Sequence, residues 1–329
     1  MIYFVTGGLG FIGSAYIRKA LTDKSNIIVN LDKVTYAASK HALDDFKHSK
    51  NYHFIKGDIQ DKTIVKNIFN DFKPNYLINF AAESHVDNSI SKPEQFINTN
   101  ILGTFNLVEC FKSYYYGSSN KSALKFLHIS TDEVFGDLGK EGFFEESSPY
   151  DPSSPYSASK ASSDHIINAW HRTFNLPLLI TNCSNNYGPY QHIEKLIPKT
   201  IFNAINNKDI PIYGDGKQIR DWLYVEDHVS AINAVLKKGV IGETYNIGSN
   251  NELENIVVVK TICRLLDILS PKSSGKYEDQ IRFVDDRPGH DIRYAINADK
   301  IKNKIGWQAR IDFEDGLKNT IIWFLKNYP

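Results

Sequence analysis

The residues of this chain that could do chemistry follow a single predicted strand. Residues 126–129 form an apolar run typical of a buried strand, and polar side chains begin where it ends. After a loop with several Gly and Pro residues, a tyrosine and a lysine stand four positions apart. In an open parallel sheet, ligands bind at the carboxyl ends of the strands, so a substrate would meet these groups. The reactive set is Thr131, Asp132, Glu133, Tyr156 and Lys160.

Tyr156 and Lys160 have the spacing of two residues on one helix face. If the phenol loses its proton, it can take one from a substrate alcohol. A free tyrosine has a pKa of about 10, so work near pH 7 requires its anion to be stabilised by roughly 4 kcal/mol. We expect the Lys160 ammonium and a cationic nicotinamide to lower the pKa of Tyr156 in a partly desolvated site. The same lysine could hold the nicotinamide ribose.

Position, rather than the Tyr-x-x-x-Lys pattern, selects this pair. The pattern also occurs at Tyr36–Lys40, Tyr52–Lys56 and Tyr213–Lys217. The first would lie near the adenosine end of a cofactor, the second falls on a predicted strand, and the third contains a Gly-Asp-Gly turn. Only the copy at 156–160 begins a predicted helix after a strand end rich in reactive groups. The alternative is a pair that merely shares a helix face.

A glycine-rich turn after the first predicted strand indicates a dinucleotide site. Residues 2–6 read as a short buried strand, and Gly8, Gly10 and Gly13 form G-x-G-x-x-G ahead of a helical pattern from Ser14 to about Leu21. These glycines allow a tight turn, a close approach to a pyrophosphate and close packing of the helix. The helix N-terminus then offers N–H groups to the phosphates. The alternative is a glycine-rich turn without a ligand.

The second predicted strand, residues 27–31, supports the same site. It ends in Asp32, about twenty residues past the motif, where a carboxylate can bind the adenosine ribose hydroxyls. Because a carboxylate would repel a 2′-phosphate, Asp32 favours NAD over NADP.

Strands and helices continue to alternate along the first half of the chain. This predicts an α/β fold with a Rossmann-type, doubly wound parallel sheet. After residue 182 the sequence becomes turn-rich, with helices expected from about 198 and near 226–237, 255–268 and 313–326. We therefore expect residues 1–182 to bind NAD and carry the catalytic residues. Residues 183–329 would form a smaller, mainly C-terminal α/β lobe that binds substrate, with parts returning to the first domain.

Composition limits the possible partners. Lys plus Arg and Asp plus Glu both total 38, which argues against a general role on nucleic acid or a membrane surface. The sequence contains no long uncharged apolar run, so we expect no membrane-spanning helix. The N-terminus lacks the pattern of a leader. The three cysteines are far apart and lie among apolar residues, as expected of reduced, buried thiols in a cytoplasmic protein. His85 and Asp87 are too few to make a metal site, so we expect none.

Together these motifs resemble the nucleotide-sugar 4,6-dehydratases of the extended short-chain dehydrogenase/reductase family. The similarity spans nearly the whole chain and favours the branch acting on dTDP-glucose. Its Thr-Asp-Glu triplet discriminates most, because epimerases of the family usually lack both carboxylates. The matching segments are AAESHVD (81–87), STDEVFGD (130–137), SPYSASK (154–160), SNNYGPY (184–190), EKLIP (194–198), QIRDWLYVED (218–227), ETYNIG (243–248) and DRPGHD (286–291).

The resemblance implies a lyase that uses tightly held NAD without net oxidation. Tyr156 would remove the C4 hydroxyl proton as hydride leaves C4, with Thr131 bonded to the C4 oxygen. Glu133 would act as the base at C5, and Asp132 as the acid at the departing C6 hydroxyl. Opposite roles require separated pKa values, and an apolar setting would keep Asp132 protonated. On composition alone, the two acids could equally cap a helix or be exposed.

The family match also implies the binding residues, including two arginines suited to a diphosphate and a tyrosine that could cover the base. It further implies a homodimer through the helices at 96–112 and 156–174. The predicted cofactor contacts are Gly7, Gly8, Gly10, Phe11, Ile12, Gly13, Asp32, Lys33, Thr35, Asp58, Ile59, Phe80, Ala81, Ala82, Ser84, Thr99, Ser130, Tyr156, Lys160 and Asn186. The predicted nucleotide-sugar contacts are Ser84, Thr131, Asn185, Lys195, Leu196, Pro211, Tyr213, Arg220, Asn255, Arg287 and His290.

Two other functions fit parts of the sequence. A sugar-nucleotide 4-epimerase would share the cofactor, Tyr156 and Lys160, but would not need Glu133. A catalytically silent NAD-binding regulator would tolerate loss of Tyr156 or Lys160, yet both are present. Thymine and uracil differ by one methyl, which a pocket discriminates by only about 1–3 kcal/mol. The overall match favours dTDP-glucose over UDP-glucose.

Overall fold

The structure is a computed structural model that describes residues 1–39, 41–286 and 289–328. Its strands are β1 (Ile2–Thr6), β2 (Ile27–Asp32), β3 (Tyr52–Lys56), β4 (Tyr76–Asn79), β5 (Lys125–Thr131), β6 (Leu178–Cys183), β7 (Asn185–Tyr187), β8 (Ile210–Tyr213), β9 (Ile219–Tyr224), β10 (Thr244–Ile247), β11 (Glu252–Glu254) and β12 (Ile281–Val284). Its α-helices are α1 (Phe11–Ala20), α2 (Lys62–Phe72), α3 (Val86–Ser91), α4 (Pro93–Phe96), α5 (Thr104–Gly117), α6 (Pro155–Phe174), α7 (Leu196–Ile205), α8 (Val225–Lys238), α9 (Asn255–Leu269), α10 (Asp299–Ile305) and α11 (Phe313–Asn327).

Seven strands form the main sheet in the order β10-β6-β5-β4-β1-β2-β3, and every neighbouring pair is parallel. The chain moves outward from β1 in one direction through β2 and β3, then in the other from β4. The order therefore reverses between β1 and β4, which is where a doubly wound sheet binds its ligand. The predicted Rossmann-type fold is confirmed.

Helices cover both faces of this sheet, as continuous apolar strands require. On one face, α1 and α8 contribute Ile17 and Ile232 to a core with the strands. On the other, α2, α5 and α6 contribute Val65, Leu107 and Ile167 to a second core. In the described part of the chain, no helix is both long and apolar enough to cross a membrane.

A smaller unit follows β6, with its own core between β8, β9 and the helices α7, α9 and α11. It contains a three-stranded sheet, β11-β9-β7, and a two-stranded sheet, β12-β8. Between β9 and β11 the chain returns to the main sheet, where β10 adds to the edge beside β6. Our sequence analysis missed β10, because a four-residue strand with polar residues at Thr244 and Asn246 has no clear apolar periodicity.

The helix predicted at 96–112 is not α-helical throughout. A π-helix over Ile97–Gly103 separates α4 from α5. Such turns concentrate at functional sites. Within this one, Asn100 is buried and bonds both backbone groups of Glu83, at 2.9 and 3.0 Å, and the Ser159 hydroxyl at 2.8 Å. The π-helix thus joins the end of β4 to α6, on either side of the predicted site.

Candidate active site

The carboxyl ends of β1 to β6 converge on one cleft of about 290 Å³. It brings together all five predicted catalytic residues and most of the predicted binding residues. The predicted residues that line it are Gly7, Gly10, Phe11, Ile12, Gly13, Asp32, Lys33, Thr35, Asp58, Ile59, Phe80, Ala81, Ala82, Ser84, Thr99, Ser130, Thr131, Asp132, Glu133, Tyr156, Lys160, Asn185, Asn186 and Lys195.

Some predicted contacts lie away from this cleft. Gly8 lies behind the loop, where its amide donates to Asn30 Oδ1 at 3.1 Å. Arg287 lies outside the described residues. The predicted substrate contacts that do not line the cleft are Leu196, Pro211, Tyr213, Arg220, Asn255 and His290.

The glycine-rich turn has room for a ligand but not for side chains. Gly7 has a φ of +68°, and a Cβ there would lie 2.6 Å from the Ala81 nitrogen. The helix that follows begins at Phe11 without a described side chain to cap it. Its first N–H groups therefore suit a phosphate. The turn fits the pyrophosphate of NAD.

Gly13→Ala is expected to abolish NAD binding and to lower the free energy of unfolding by about 1–3 kcal/mol. The added methyl group would lie 2.4 Å from the Gly7 carbonyl oxygen and 2.9 Å from Gly8 Cα. Both are backbone atoms, so the phosphate-binding turn itself must shift. Gly117→Ala is the matched control, because no described atom lies within 4 Å of its added methyl. Calorimetric NAD titration and urea unfolding measure both effects, and tight NAD binding by Gly13→Ala would contradict this role for the turn.

Two acids line the cleft where β2 and β3 end. The Asp32 carboxylate accepts from the Leu9 amide at 2.8 Å and the Val34 amide at 2.7 Å, which holds the glycine-rich turn against β2. Burial raises the pKa of Asp32 despite these bonds. Asp58 forms an ion pair with Lys33 at 2.7 Å.

A capping box fixes the start of α6 and hence Tyr156. Ser154 Oγ accepts from the Ser157 amide at 3.1 Å, and Ser157 Oγ accepts from the Ser154 amide at 3.0 Å. Pro155 occupies the first helical position, where its missing N–H costs nothing. Tyr156 therefore enters the cleft from the first turn of a rigid helix, and Lys160 lies one turn further along.

Taken together, the protein's own groups do not lower the pKa of Tyr156, so the predicted lowering depends on the charge of the nicotinamide. Burial, and next the Glu133 carboxylate, raise the pKa of Tyr156 well above its usual value. The Lys160 ammonium instead donates to the Ile129 carbonyl at 2.7 Å and lies 3.3 Å from His128 Nε2. The pattern correctly placed both residues in the cleft. It could not show that a backbone carbonyl holds the amine.

The Thr-Asp-Glu segment turns sharply after β5. Thr131 caps a short 3₁₀ turn over Asp132–Phe135, its Oγ1 accepting from the Glu133 amide at 3.3 Å. Asp132 is 1% exposed, whereas Glu133 is half-buried. Burial, followed by the Glu133 and Asp221 carboxylates, raises the pKa of Asp132 well above its ordinary range. The segment thus places an acid whose raised pKa favours its protonated form beside a second carboxyl group.

Asp132→Asn is expected to stabilise the folded protein at neutral pH. The folded pKa of Asp132 is raised, so above its unfolded pKa of about 4 stability falls with rising pH until the folded pKa is passed. Asn never ionises. Its advantage should therefore be about 1–2 kcal/mol near pH 7 and vanish near pH 3.

Urea unfolding at the two pH values measures this difference, with Asp45→Asn as an exposed control. Equal stability of Asp132→Asn and the unmodified protein at both pH values would mean that Asp132 is not held protonated.

A second group of predicted substrate residues lies beside the cleft. The Tyr213 hydroxyl lies 3.5 Å from Asp87 Oδ2, just past the Ser84 edge of the cleft. The Tyr213 ring also meets the ring of His290 edge to face. His290 in turn contacts Asp286 at 2.6 Å.

A diphosphate contact would require an exposed guanidinium group, but the side chain of Arg220 is buried. It is 5% exposed, donates to the carbonyls of Ile219 and Asp291 at 2.7 and 2.9 Å, and stacks on Tyr294. The positive charge of Arg220 lowers the pKa of Asp132, but burial raises this pKa by more. Asn255 Oδ1 is also buried and has no hydrogen-bond partner among the described residues.

Loops complete the cleft with residues that our sequence analysis did not select. Glu83, Ser184 and Glu194 lie inside matching segments, so the segments themselves could have indicated them. Gln191 and His192 have no local signal, because only the fold brings their loop over the cleft. The unpredicted lining residues are Leu31, Ala37, Ala38, Gly57, Glu83, Ile129, Cys183, Ser184, Gln191, His192 and Glu194.

This loop is held to the opposite rim of the cleft by polar contacts. Lys195 Nζ donates to the Ser84 carbonyl at 2.9 Å. Glu194 Oε2 lies 3.8 Å from His85 Nε2 and 3.6 Å from His192 Nδ1. The contacts join the loop after β4 to the loop after β7 across the site.

Known proteins share both the sequence and the fold. A model of the GDP-mannose 4,6 dehydratase family matches residues 4–320. The dTDP-glucose 4,6-dehydratase of Haemophilus influenzae is 53% identical over 333 residues, covering 99% of this chain and 98% of that protein. A solved dTDP-glucose 4,6-dehydratase from Bacillus anthracis, in complex with NAD, is 43% identical with a TM-score of 0.89, covering 100% of this chain and 97% of that one.

The epimerase alternative is less well supported by these comparisons. The UDP-glucose 4-epimerase of Thermotoga maritima covers 100% of both chains with a TM-score of 0.87, but is only 26% identical. The epimerase therefore shares the fold, but its sequence identity to this chain is about half that of the dehydratase from Haemophilus influenzae. The predicted resemblance is confirmed over nearly the whole chain, which belongs to the nucleotide-sugar 4,6-dehydratase family.

Proposed function

We propose that the protein is an NAD-dependent hydro-lyase that converts dTDP-glucose to the 4-keto-6-deoxy sugar nucleotide and water. The observation that carries the proposal is a buried Asp132 next to Glu133, in the same cleft as Tyr156. A 4-epimerase would need only the tyrosine and the lysine. Curated relatives named as dTDP-glucose 4,6-dehydratases support the choice of dTDP-glucose, and UDP-glucose remains the competing substrate.

NAD would be held by the glycine-rich turn, with Asp32 at the adenosine ribose and Lys160 at the nicotinamide ribose. When bound, it accepts hydride from C4, adds positive charge near Tyr156, and returns the hydride to C6. The Gly7 and Gly13 geometry supports this assignment, because a Cβ at either position would collide with backbone atoms and displace the turn. The relative from Bacillus anthracis, solved with NAD, supports the same cofactor.

Tyr156 would start the reaction as a phenolate that removes the proton of the C4 hydroxyl. Because burial and Glu133 raise its pKa, this ionisation depends on positive charge from outside the described chain. Thr131, whose hydrogen bond lowers the pKa of Tyr156, would hold the C4 oxygen as well. The C4 ketone that results acidifies the proton at C5.

Glu133 and Asp132 would then remove water across C5 and C6. Glu133 takes the C5 proton, while Asp132 gives its proton to the departing C6 hydroxyl, which leaves as water. The proton on Glu133 returns to C5 once C6 has been reduced. The burial of Asp132 and its raised pKa support this division of roles.

The two parts of the chain would divide the work. Residues 1–182 would bind NAD and carry the catalytic groups, and residues 183–329 would bind the nucleotide sugar. Lys195 and Asn185 line the cleft and support this division. Tyr213 and His290, beside the cleft at Asp87, would lie toward the nucleotide.

A homodimer is also proposed, through the helices at 96–112 and 156–174. Exposed apolar side chains at Ile97, Leu102 and Phe105 support it, since they form part of an uncovered face. Sedimentation velocity at several concentrations tests it. The cytoplasmic location stays a proposal, supported by three buried cysteines that are not in disulfides.

Parallel incubation with dTDP-glucose and UDP-glucose, followed by product mass, tests the proposed function. A product lighter by one water, without net consumption of added NAD, is expected with dTDP-glucose. The ratio of rates decides between the two bases. A product of unchanged mass with inverted C4 would show an epimerase instead, and no conversion of either sugar would contradict the proposal.

A further inference from the structure

A third carboxylate lies buried behind the proposed reaction site. Asp164 follows Lys160 by four residues and Tyr156 by eight, so the three share one face of α6. Its side chain is 0% exposed, and the reaction proposed above gives it no role. Because burying a carboxylate is costly unless charge and hydrogen bonds compensate it, its surroundings indicate what it does.

Three donors hold one oxygen of this carboxylate. Asp164 Oδ2 accepts from Ser130 Oγ at 2.7 Å and from the Tyr150 hydroxyl at 3.0 Å. Asn182 Nδ2 lies 3.4 Å from the same oxygen and donates to the Thr131 carbonyl at 3.0 Å. Ser130 immediately precedes Thr131. Asp164 therefore ties α6 and β6 to the end of β5, where the Thr-Asp-Glu segment begins.

The other oxygen faces an imidazole that does not carry the balancing charge. Asp164 Oδ1 lies 3.4 Å from His128 Nε2. His128 Nδ1 faces Asn79 Nδ2 at 3.1 Å, and the amide oxygen of Asn79 accepts from the Thr6 hydroxyl at 2.6 Å. In this arrangement Nδ1 is the acceptor, so neutral His128 carries its proton on Nε2. Burial, and next Lys160, lower the pKa of His128 to about 4.

Lys160 needs a negative charge that its other neighbours do not supply. Burial lowers the pKa of Lys160, whereas Asp164 and then Cys183 raise it. Burial raises the pKa of Cys183 to about 12, so this thiol is uncharged near neutral pH. The contacts of the ammonium with the Ile129 carbonyl and with His128 bring no negative charge. Asp164 is therefore the charge that opposes the desolvation of Lys160.

We propose that Asp164 is a positioning residue, which keeps Lys160 protonated and holds the end of β5 so that Thr131–Glu133 face Tyr156. The inference rests on the proposed function, because it assigns Asp164 to the support of groups that act at C4. Without this carboxylate the buried amine would lose its proton at lower pH. Turnover would then fall at lower pH on the alkaline side of the pH–rate profile.

Asp164→Asn tests the proposal, since Asn keeps the size and can still accept from Ser130 and Tyr150. Carbon NMR of labelled lysine in the NAD-bound protein follows Lys160, whose signal is identified by its loss in Lys160→Met. We expect Lys160 to titrate about one to three pH units lower in Asp164→Asn. The alkaline limb of dTDP-glucose turnover should move in the same direction.

Tyr150→Phe is the matched control, because it removes a donor to the same oxygen but leaves the charge. Its Lys160 titration should stay near that of the unmodified protein. An unchanged titration in folded Asp164→Asn overturns the proposal. The titration of Lys160 needs no substrate, so its result is independent of the sugar assay. If no sugar is converted but the titration still shifts, the proposed function is contradicted and the pairing of Asp164 with Lys160 is supported.

If the single variant Asp164→Asn does not fold, a comparison of melting temperatures tests the pairing of Asp164 with Lys160. Lys160→Met leaves the carboxylate buried without its cation, so that variant should melt below the unmodified protein. Removing the charge as well, in Lys160→Met with Asp164→Asn, should raise the melting temperature above that of Lys160→Met. A double variant that melts no higher than Lys160→Met would overturn the pairing.

Discussion

Glu133→Gln is expected to lower dehydration by about 10²–10⁴-fold while leaving oxidation at C4 possible. The amide cannot take the C5 proton, so the reaction should stop after the first step. Reduced nicotinamide should then accumulate during a single turnover, and solvent deuterium should no longer enter C5. Absorbance of the reduced cofactor and mass spectrometry of the recovered sugar measure the two effects.

The same substitution should change the first step in a defined direction. The Glu133 carboxylate raises the pKa of both Asp132 and Tyr156. Its removal should therefore let Tyr156 ionise at lower pH, and the acid limb of C4 oxidation should move down. Glu141→Gln, at an exposed position in the loop before α6, is the control and should keep both steps. Full dehydration by Glu133→Gln would assign the C5 base to another residue.

Local patterns predicted the parts of the site that depend on one strand and the turn after it. Each of these parts follows an apolar run that is typical of a buried strand. They are the Gly-rich turn after β1, Asp32 at the end of β2 and the triplet at the end of β5. The parallel order of the sheet then brings these strand ends to one edge. That step needs only the rule that β-α units repeat with the same hand.

Other parts depend on contacts between distant segments, which no local pattern carries. Asp164 reads as a polar position on an amphipathic helix, and only the fold encloses it against Ser130 and Asn182. The direction of the Lys160 amine was missed for the same reason. Its acceptor, the Ile129 carbonyl, belongs to β5, and only the packing of α6 against this strand brings the two groups together. Gln191 and His192 reach the cleft only because their loop crosses from β7 to α7.

Tyr156→Phe is expected to abolish the first step, with turnover lower by about 10²–10⁴-fold and no reduced nicotinamide formed. The side chain is 8% exposed and packs edge to face on Phe96, so Phe keeps the shape of the site. Binding of NAD and dTDP-glucose, measured by calorimetry, should therefore remain. The matched control is Tyr277→Phe, which removes another buried hydroxyl, bonded to the Ser270 carbonyl at 2.7 Å, far along the chain from the cleft.

The pair of variants at Tyr156 and Glu133 separates the two proton transfers. If Tyr156 is the base at C4, only Glu133→Gln can accumulate reduced nicotinamide, because it retains the group that starts the oxidation. If Tyr156→Phe also accumulates it, a carboxylate has taken the C4 proton, and the half-buried Glu133 is the group placed to do so. The raised pKa of Tyr156 makes this a direct test, since positive charge beyond the protein's own groups must overcome the effect of burial.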